Sequence, residues 1–181
     1  MSKKIIAFGA SNNSQSINKK FASFAADKLT GVEISILDLN NFELPIYSID
    51  IEKETGVPAN AIRFSELIQE SDGIIISLAE YNGLYTSVFK NLWDWMSRIH
   101  TREIWYDKAM FLLGASPSKR DASNVMRISQ ELFPSFGAKI IASFHLPSFN
   151  HFFNDGRIIE PIKLELFNAE LQKFQAYLTE N

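Results

Sequence analysis

The chain has no cysteine among its 181 residues. Disulfides, thiol nucleophiles and thiolate metal sites are thereby excluded. It also lacks a marked charge of either sign. Eighteen Lys and Arg stand against 21 Asp and Glu, a net charge of −3 with a pI near 5.6. That leaves no basic footprint for nucleic acid or an anionic membrane, and neither is expected as a partner. Long apolar runs are missing too. Met1-Ser2-Lys3-Lys4 leads only into Ile5 to Phe8, too short for a signal-peptide core or a membrane span, so a cytoplasmic protein is expected. Glycine is sparse where nucleotide motifs need it. Only Gly9 stands where the dinucleotide fingerprint requires three glycines, and the Gly-Lys-Ser/Thr end of a Walker loop is absent. No serine sits in a nucleophile elbow.

What is present is an ordinary globular composition, 46% apolar and 22% charged, with 15 Phe in prospect for the core. The length suits one domain over residues 1–181, and no repeat, linker or low-complexity tract divides it. Ile5-Ile6-Ala7-Phe8, ending at Gly9-Ala10, reads as a buried first strand. Ser11-Asn12-Asn13-Ser14-Gln15-Ser16 follows as a hydroxyl- and amide-rich loop. Ile17, Phe21, Phe24, Ala25 and Leu29 then recur at helical spacing, with Ser14 or Ser16 as the cap. Val32 to Leu39 alternates as a second strand. Asn40 to Pro58 has no period and is expected to be a long connection on the sheet edge. Ala59 to Glu70 is a predicted helix burying Ile62, Leu67 and Ile68, and Gly73 to Leu78 is the third strand.

The loop Glu80-Tyr81-Asn82-Gly83 comes next. Behind it lies an amphipathic helix, Thr86 to Arg98, with Val88, Leu92, Trp95, Met96 and Ile99 on one face and Phe89 and Trp93 beside it. Thr101 to Asp107 is a polar-aromatic bridge. Ala109 to Leu113 is a fourth strand ending in Gly114-Ala115-Ser116-Pro117. Asp121 to Phe133 is helical with Val125, Ile128 and Leu132 inward. Lys139 to Phe144 is a fifth strand, Leu146 to Arg157 a second long loop, and Pro161 to Leu178 a closing helix with Ile162, Leu166, Ala169, Phe174 and Tyr177 apolar. Five alternations of strand and helix predict an α/β protein, a three-layer sandwich with a parallel sheet covered on both faces. Five strands suit the flavodoxin-like order 2-1-3-4-5, whose crevice lies beside strands one and three.

Two loops fall at that crevice. In the first, Ser11, Ser14, Ser16 and Asn18 offer hydroxyls and an amide where a helix begins. That is either a capped helix behind a polar turn or a seat for a phosphate, which the free N–H groups and the helix dipole would favour. In the second, Glu80-Tyr81-Asn82-Gly83 is either a surface turn or the wall of a flat ligand. Tyr81 would stack, Asn82 donate and accept, and Gly83 admit a close backbone N–H. Taken together they favour a flat phosphorylated ligand such as a flavin mononucleotide, with the loop at Ser116 completing the pocket. His145 and His151 read as loop histidines with no third metal ligand. His100 is placed to meet a helix dipole, and Lys119-Arg120 is read as a solvated basic pair ahead of the alternative, a contact to the 2′-phosphate of NADPH. No metal site is expected.

At these loops the sequence resembles the NAD(P)H-dependent FMN reductase family, which includes quinone, azo-dye and chromate reductases. The resemblance runs from Ile5 to about Arg157. It is sharpest at Glu80-Tyr81-Asn82-Gly83 with Lys90-Asn91 and Asp94-Trp95, where family members carry a Pro-Glu-Tyr-Asn loop and a Lys-Asn-x-x-Asp-Trp helix; Leu44-Pro45, Tyr47 and Asp50 resemble the family's second loop. The resemblance implies a flavodoxin-like fold, non-covalent FMN, NADPH or NADH as co-substrate, a small-molecule electron acceptor, and a homodimer or homotetramer. By position it implies that Ser11, Ser16 and Asn18 hold the phosphate with the backbone of Ile17. Glu80, Tyr81, Asn82 and Gly83 would line the isoalloxazine ring, and Ser116 its edge or the ribityl chain. The chain departs from the family at Asn13 (often Arg), Ala79 (Pro), Thr86-Ser87 (often Pro-Gly) and Ser118-Lys119-Arg120 (often glycines). No catalytic side chain is implied, because the cofactor carries the chemistry. Two rival classes share the fold: a flavin-binding electron carrier, and a binding module without cofactor. A dimer is expected from the aromatics of Thr86 to His100 and from exposed aromatics at Glu103 to Tyr106.

Overall fold

The computed structural model describes residues 2–99, 103–119 and 123–180. The chain runs through β1 (Lys3–Gly9), α1 (Ile17–Asp27), β2 (Val32–Leu37), α2 (Ile49–Thr55), α3 (Ala59–Glu70) and β3 (Gly73–Leu78). A hairpin of β4 (Glu80–Tyr81) and β5 (Leu84–Tyr85) leads into α4 (Ser87–Met96) and β6 (Lys108–Ala115). Then come α5 (Asn124–Leu132), β7 (Ala138–Leu146), α6 (Phe149–Phe152), a second hairpin of β8 (Phe153–Asn154) and β9 (Arg157–Ile158), and α7 (Pro161–Glu180). The parallel sheet has the order β2-β1-β3-β6-β7, the flavodoxin-like arrangement expected.

Successive residues of a strand face opposite sides, and each side has its own core. Ile6, Phe8, Ile74, Ile76, Met110 and Leu112 meet α3, α4 and α5 through Phe64, Phe89, Trp93 and Val125. Ile5, Ala7, Ile75, Phe111 and Leu113 meet α1 and α7 through Phe21, Ala22, Phe167 and Phe174. The unbroken apolar run of β3 is what a strand buried on both faces requires.

Several local expectations change. The connection after β2 is not irregular throughout: it holds a 3-10 turn at Leu39–Asn41 and then α2, capped by Ser48. Its anchors Leu39 and Phe42 enter the core. It docks on α4 rather than on the sheet edge. The Asn91 side chain accepts from Tyr47 N–H (2.8 Å) and donates to the Pro45 carbonyl (3.0 Å). Trp95 Nε1 donates to the same carbonyl at 2.8 Å, and its ring meets Tyr47 edge-on. The Asn and Trp of the Lys-Asn-x-x-Asp-Trp stretch are therefore a strap, while Lys90 and Asp94 pair along the helix.

Helix faces also differ. Phe64 and Ala61 are buried in α3 where Ile62 was expected, and Met126 and Ser129 in α5 where Ile128 and Leu132 were. In α7 the inward stripe is Phe167, Leu171, Phe174 and Leu178, while Ile162 and Leu166 face solvent. Ile104 and Trp105 are fully buried, so the exposed aromatics expected there belong to the core. The segment Leu146 to Arg157 contains α6 and the second hairpin, and His145 lies within β7 rather than a loop. His100, Arg120 and the expected start of the helix at Asp121 lie outside the described residues.

Candidate functional site

The carboxyl ends of β1 and β3 open the crevice that this strand order creates. The Ser/Asn loop after β1 is held by its own side chains. Asn13 N–H donates to Ser11 Oγ (3.2 Å), Gln15 N–H to Asn13 Oδ1 (2.9 Å), and Ser16 N–H to the Asn13 carbonyl (2.9 Å). Ser16, not Ser14, caps α1, accepting from Lys19 N–H at 3.1 Å. Ser11 and Ser16 are buried, and as acceptors in these bonds both keep a hydroxyl proton to donate. The first-turn N–H groups of Ile17 and Asn18 have no acceptor among the described residues. α1 approaches β1 so closely that a Cβ on Gly9 would lie 2.3 Å from Lys19 N.

Asn18 does something the sequence did not suggest. Its side chain is 3% exposed. Oδ1 accepts from Ser77 Oγ (2.7 Å) and Ala115 N–H (2.9 Å), and Nδ2 donates to the Ala115 carbonyl (3.1 Å). The amide thus ties α1 to the ends of β3 and β6. The side chain thus holds the wall of the crevice, a role the sequence reading did not give it, and Asn18 also borders the first cleft.

The second loop is a β-hairpin. Asn82 and Gly83 have φ of 55° and 83°, the two-residue turn with positive φ at both positions that Asn-Gly favours. Gly83 is thus required by the turn itself. The alternation of the two short strands sorts their side chains. Tyr81 and Leu84 point outward, 52% and 60% exposed. Glu80 and Tyr85 point to α5: Glu80 accepts from Ser123 Oγ (2.9 Å) and Val125 N–H (3.1 Å), and the Tyr85 hydroxyl meets Ser129 Oγ at 2.7 Å. Burial raises the pKa of Tyr85. The Glu80 carboxylate thus braces the positive end of α5 through Oε2 while the residue borders the crevice. Thr86 donates to the Ala10 carbonyl (2.8 Å) and caps α4. This departure from the family pattern closes the gap between β1 and α4.

Two adjoining clefts, of 290 and 320 Å³, share Glu80, Ala115, Ser116 and Pro117. Ser11, Asn13, Ser16, Ile17, Asn18, Ala79 and Tyr81 line the first; Asn82 and Gly83 line the second. Sequence reasoning missed Gln15, Asn150, Ser123 and His145. Asn150 arrives because the backbone N–H groups of Ser148 and Phe149 donate to the carbonyls of Ser118 and Ser116, a contact no local pattern announces. The first cleft has no cationic lining residue. Lys19, on the neighbouring helix turn, pairs with Asp38 and lowers that carboxyl's pKa. Among the described residues, no group of three His, Cys, Asp or Glu side chains is placed to hold a metal ion, and no helix is long and apolar enough to cross a membrane.

Both the sequence and the fold have counterparts. A quinone reductase of Escherichia coli (strain K12) is 37% identical over 57 residues, 32% of this chain and 30% of that protein. A 2-hydroxy-1,4-benzoquinone reductase of Burkholderia sp is 31% identical over 117 residues, 64% of this chain and 62% of the relative. The matched stretches thus span less than two thirds of either relative's length. A flavoenzyme NAD(P)H:(acceptor) oxidoreductase from Paracoccus denitrificans shares the fold, with a TM-score of 0.75 over 98% of both chains at 21% identity. The family model described as NADPH-dependent FMN reductase matches residues 3–151, from the first strand through the loops of both clefts to α6, and the chain belongs to that family.

Proposed function

We propose that the chain is an NAD(P)H-dependent oxidoreductase that holds FMN as a single domain and delivers reducing equivalents to a quinone, a free flavin or a similar small acceptor. One observation carries the reading: buried hydroxyls and unpaired helix N–H groups that suit an anion share one cleft with the exposed Tyr81 ring, and a second cleft adjoins it at the β1/β3 rim. The residues present fit the group. Ile17 and Asn18 N–H, with the Ser11 and Ser16 hydroxyls at the positive end of α1, suit a phosphate tail. Asn13 keeps its side-chain oxygen in the turn and brings no charge where relatives often carry Arg. The missing charged contact is worth about 1.5–3 kcal/mol, or one to two decades in affinity.

Ala79, Tyr81, Asn82, Gly83 and Ser116 border the space for the ring, with Tyr81 free to stack. Bound FMN supplies the hydride chemistry; the chain binds, orients and shields it. No side chain is assigned as acid or base, since the one carboxylate lining the clefts, Glu80, is tied to α5. The family's description favours NADPH, and the relatives' names favour a quinone acceptor. A homodimer or homotetramer in the cytoplasm completes the proposal. The exposed Ile46 and Ile49, on the segment strapped to α4, offer apolar surface to a second copy. In solution the mass should exceed that of the 20.6 kDa chain. The decisive test is to mix the FMN-loaded protein with NADPH, and separately with NADH, under nitrogen. Bleaching of the yellow band is expected; persistence of the band with both nucleotides would refute the reductase reading.

A further inference from the structure

We infer that the anion seat is open at its far end and that the chain accepts FAD as well as FMN, with the adenosine monophosphate half lying in a groove along α1. The inference rests on the FMN reading above. A groove of 770 Å³, more roomy than either cleft, continues from the space for the ring, since Ser16, Ile17 and Asn150 line both. A ligand whose phosphate meets Ile17 N–H therefore has open, built space directly beyond that phosphate. The volume is that of a ligand site rather than a crevice between side chains.

The lining suits a nucleotide better than a bare anion or an acyl chain. Lys20, Phe24 and Asp27 follow Ile17 at spacings of three and four, so one face of α1 forms a wall. The turn of the second hairpin, at Asn154 to Gly156, forms the opposite wall. Phe153 stacks on Phe149 at 4.5 Å and meets Phe24 edge to face at 5.3 Å, so three rings give this part of the groove an aromatic border against which a base can pack. Lys20 makes no ion pair among the described residues, whereas its neighbour Lys19 is engaged by Asp38. It lies one turn from the seat, where the second phosphate of a pyrophosphate would emerge. Asp27 and Asp155 supply carboxylates that accept from ribose hydroxyls and would repel a further phosphate on that ribose.

The test titrates the flavin-free protein with FMN and with FAD, read by quenching of flavin fluorescence. FAD affinity within about tenfold of FMN is expected. A blocking variant, Ser23→Trp, places bulk in the groove from the half-buried middle of α1. It should weaken FAD by at least about tenfold while FMN changes less than about threefold. Lys20→Gln should likewise weaken FAD more than FMN. Tight FMN binding with FAD more than about a hundredfold weaker would overturn the groove and leave the FMN reading intact. FAD binding indifferent to Ser23→Trp in a folded variant would also overturn it. Failure of both flavins to bind would instead refute the FMN reading on which the groove depends.

Discussion

Asn18→Ala separates two roles that a position in the crevice allows, gripping a ligand and holding the wall. The substitution leaves three groups without their partner: the Ser77 hydroxyl, the Ala115 N–H and the Ala115 carbonyl. Ser77 is fully buried and Asn18 nearly so, which limits how far water can replace the amide. At about 1–2 kcal/mol for each orphaned group, with the hydroxyl able to turn elsewhere, the loss is about 3–5 kcal/mol. Domains of this kind have about 5–15 kcal/mol in total, so the variant should still fold. With a slope of about 2 kcal/mol/M, the urea midpoint should fall by about 1.5–2.5 M. Tryptophan fluorescence follows the transition, since Trp93, Trp95 and Trp105 are all buried. Asn18→Asp keeps the acceptor but sets a carboxylate oxygen against the Ala115 carbonyl and a negative charge beside the seat, so it should lose both stability and FMN affinity. The reasoning is refuted if Asn18→Ala stays within about 0.5 kcal/mol of the parent while FMN affinity collapses. That pattern would make the side chain a ligand and not a brace.

Gly9→Ala forces a methyl group to 2.3 Å from Lys19 N and 2.7 Å from the Asn18 carbonyl carbon. Backbone cannot yield there as a side chain would, so a loss of about 2–3 kcal/mol and weaker FMN binding are expected, and an unchanged thermal midpoint would argue against the close approach. Tyr81→Ala should leave stability within about 0.5 kcal/mol, because the ring is half in solvent. It should weaken FMN by about 0.5–1.5 kcal/mol if the ring stacks, and equal affinities in a titration would remove Tyr81 from the wall. Acid should act through Asp38, held below its ordinary 3.8 by the Lys19 ammonium and then the Asn40 N–H, and Asp72, held down by the Lys4 N–H and then Lys3. Because the folded values are the lower ones, this stabilisation is complete above pH 3.8 and is lost as pH falls through them. Asp38→Asn should flatten the acid limb of a stability–pH series; coincident limbs would show that Asp38 contributes nothing there.

The order of the sheet was legible because Ile5 to Phe8 and Gly73 to Leu78 are apolar runs bounded by turn residues, and few arrangements bury such runs on both faces. That order alone brought the Ser11 and Glu80 loops to one rim. The hairpin at Asn82-Gly83 was also written in the chain, as an Asn-Gly pair between short apolar stretches, and reading it as a plain loop concealed which of Glu80 and Tyr81 faces outward. Helix faces were less legible. α3 carries Ile62, Phe64, Leu67 and Ile68, more apolar residues than one stripe holds, and packing chose Phe64 over Ile62.

By itself, then, the sequence determined the class of fold, the rim that carries the site and the kinds of group gathered there. These follow from period and turn chemistry, which act between near neighbours. The tertiary structure decided which of those groups remain free to meet a ligand. Asn18 is engaged by residues 59 and 97 positions away, and Glu80 by residues 43 and 45 away. Asn150 enters the cleft through a segment docked on Ser116 and Ser118. Atoms bonded across such distances serve the fold first, and only the folded chain brings those partners within reach.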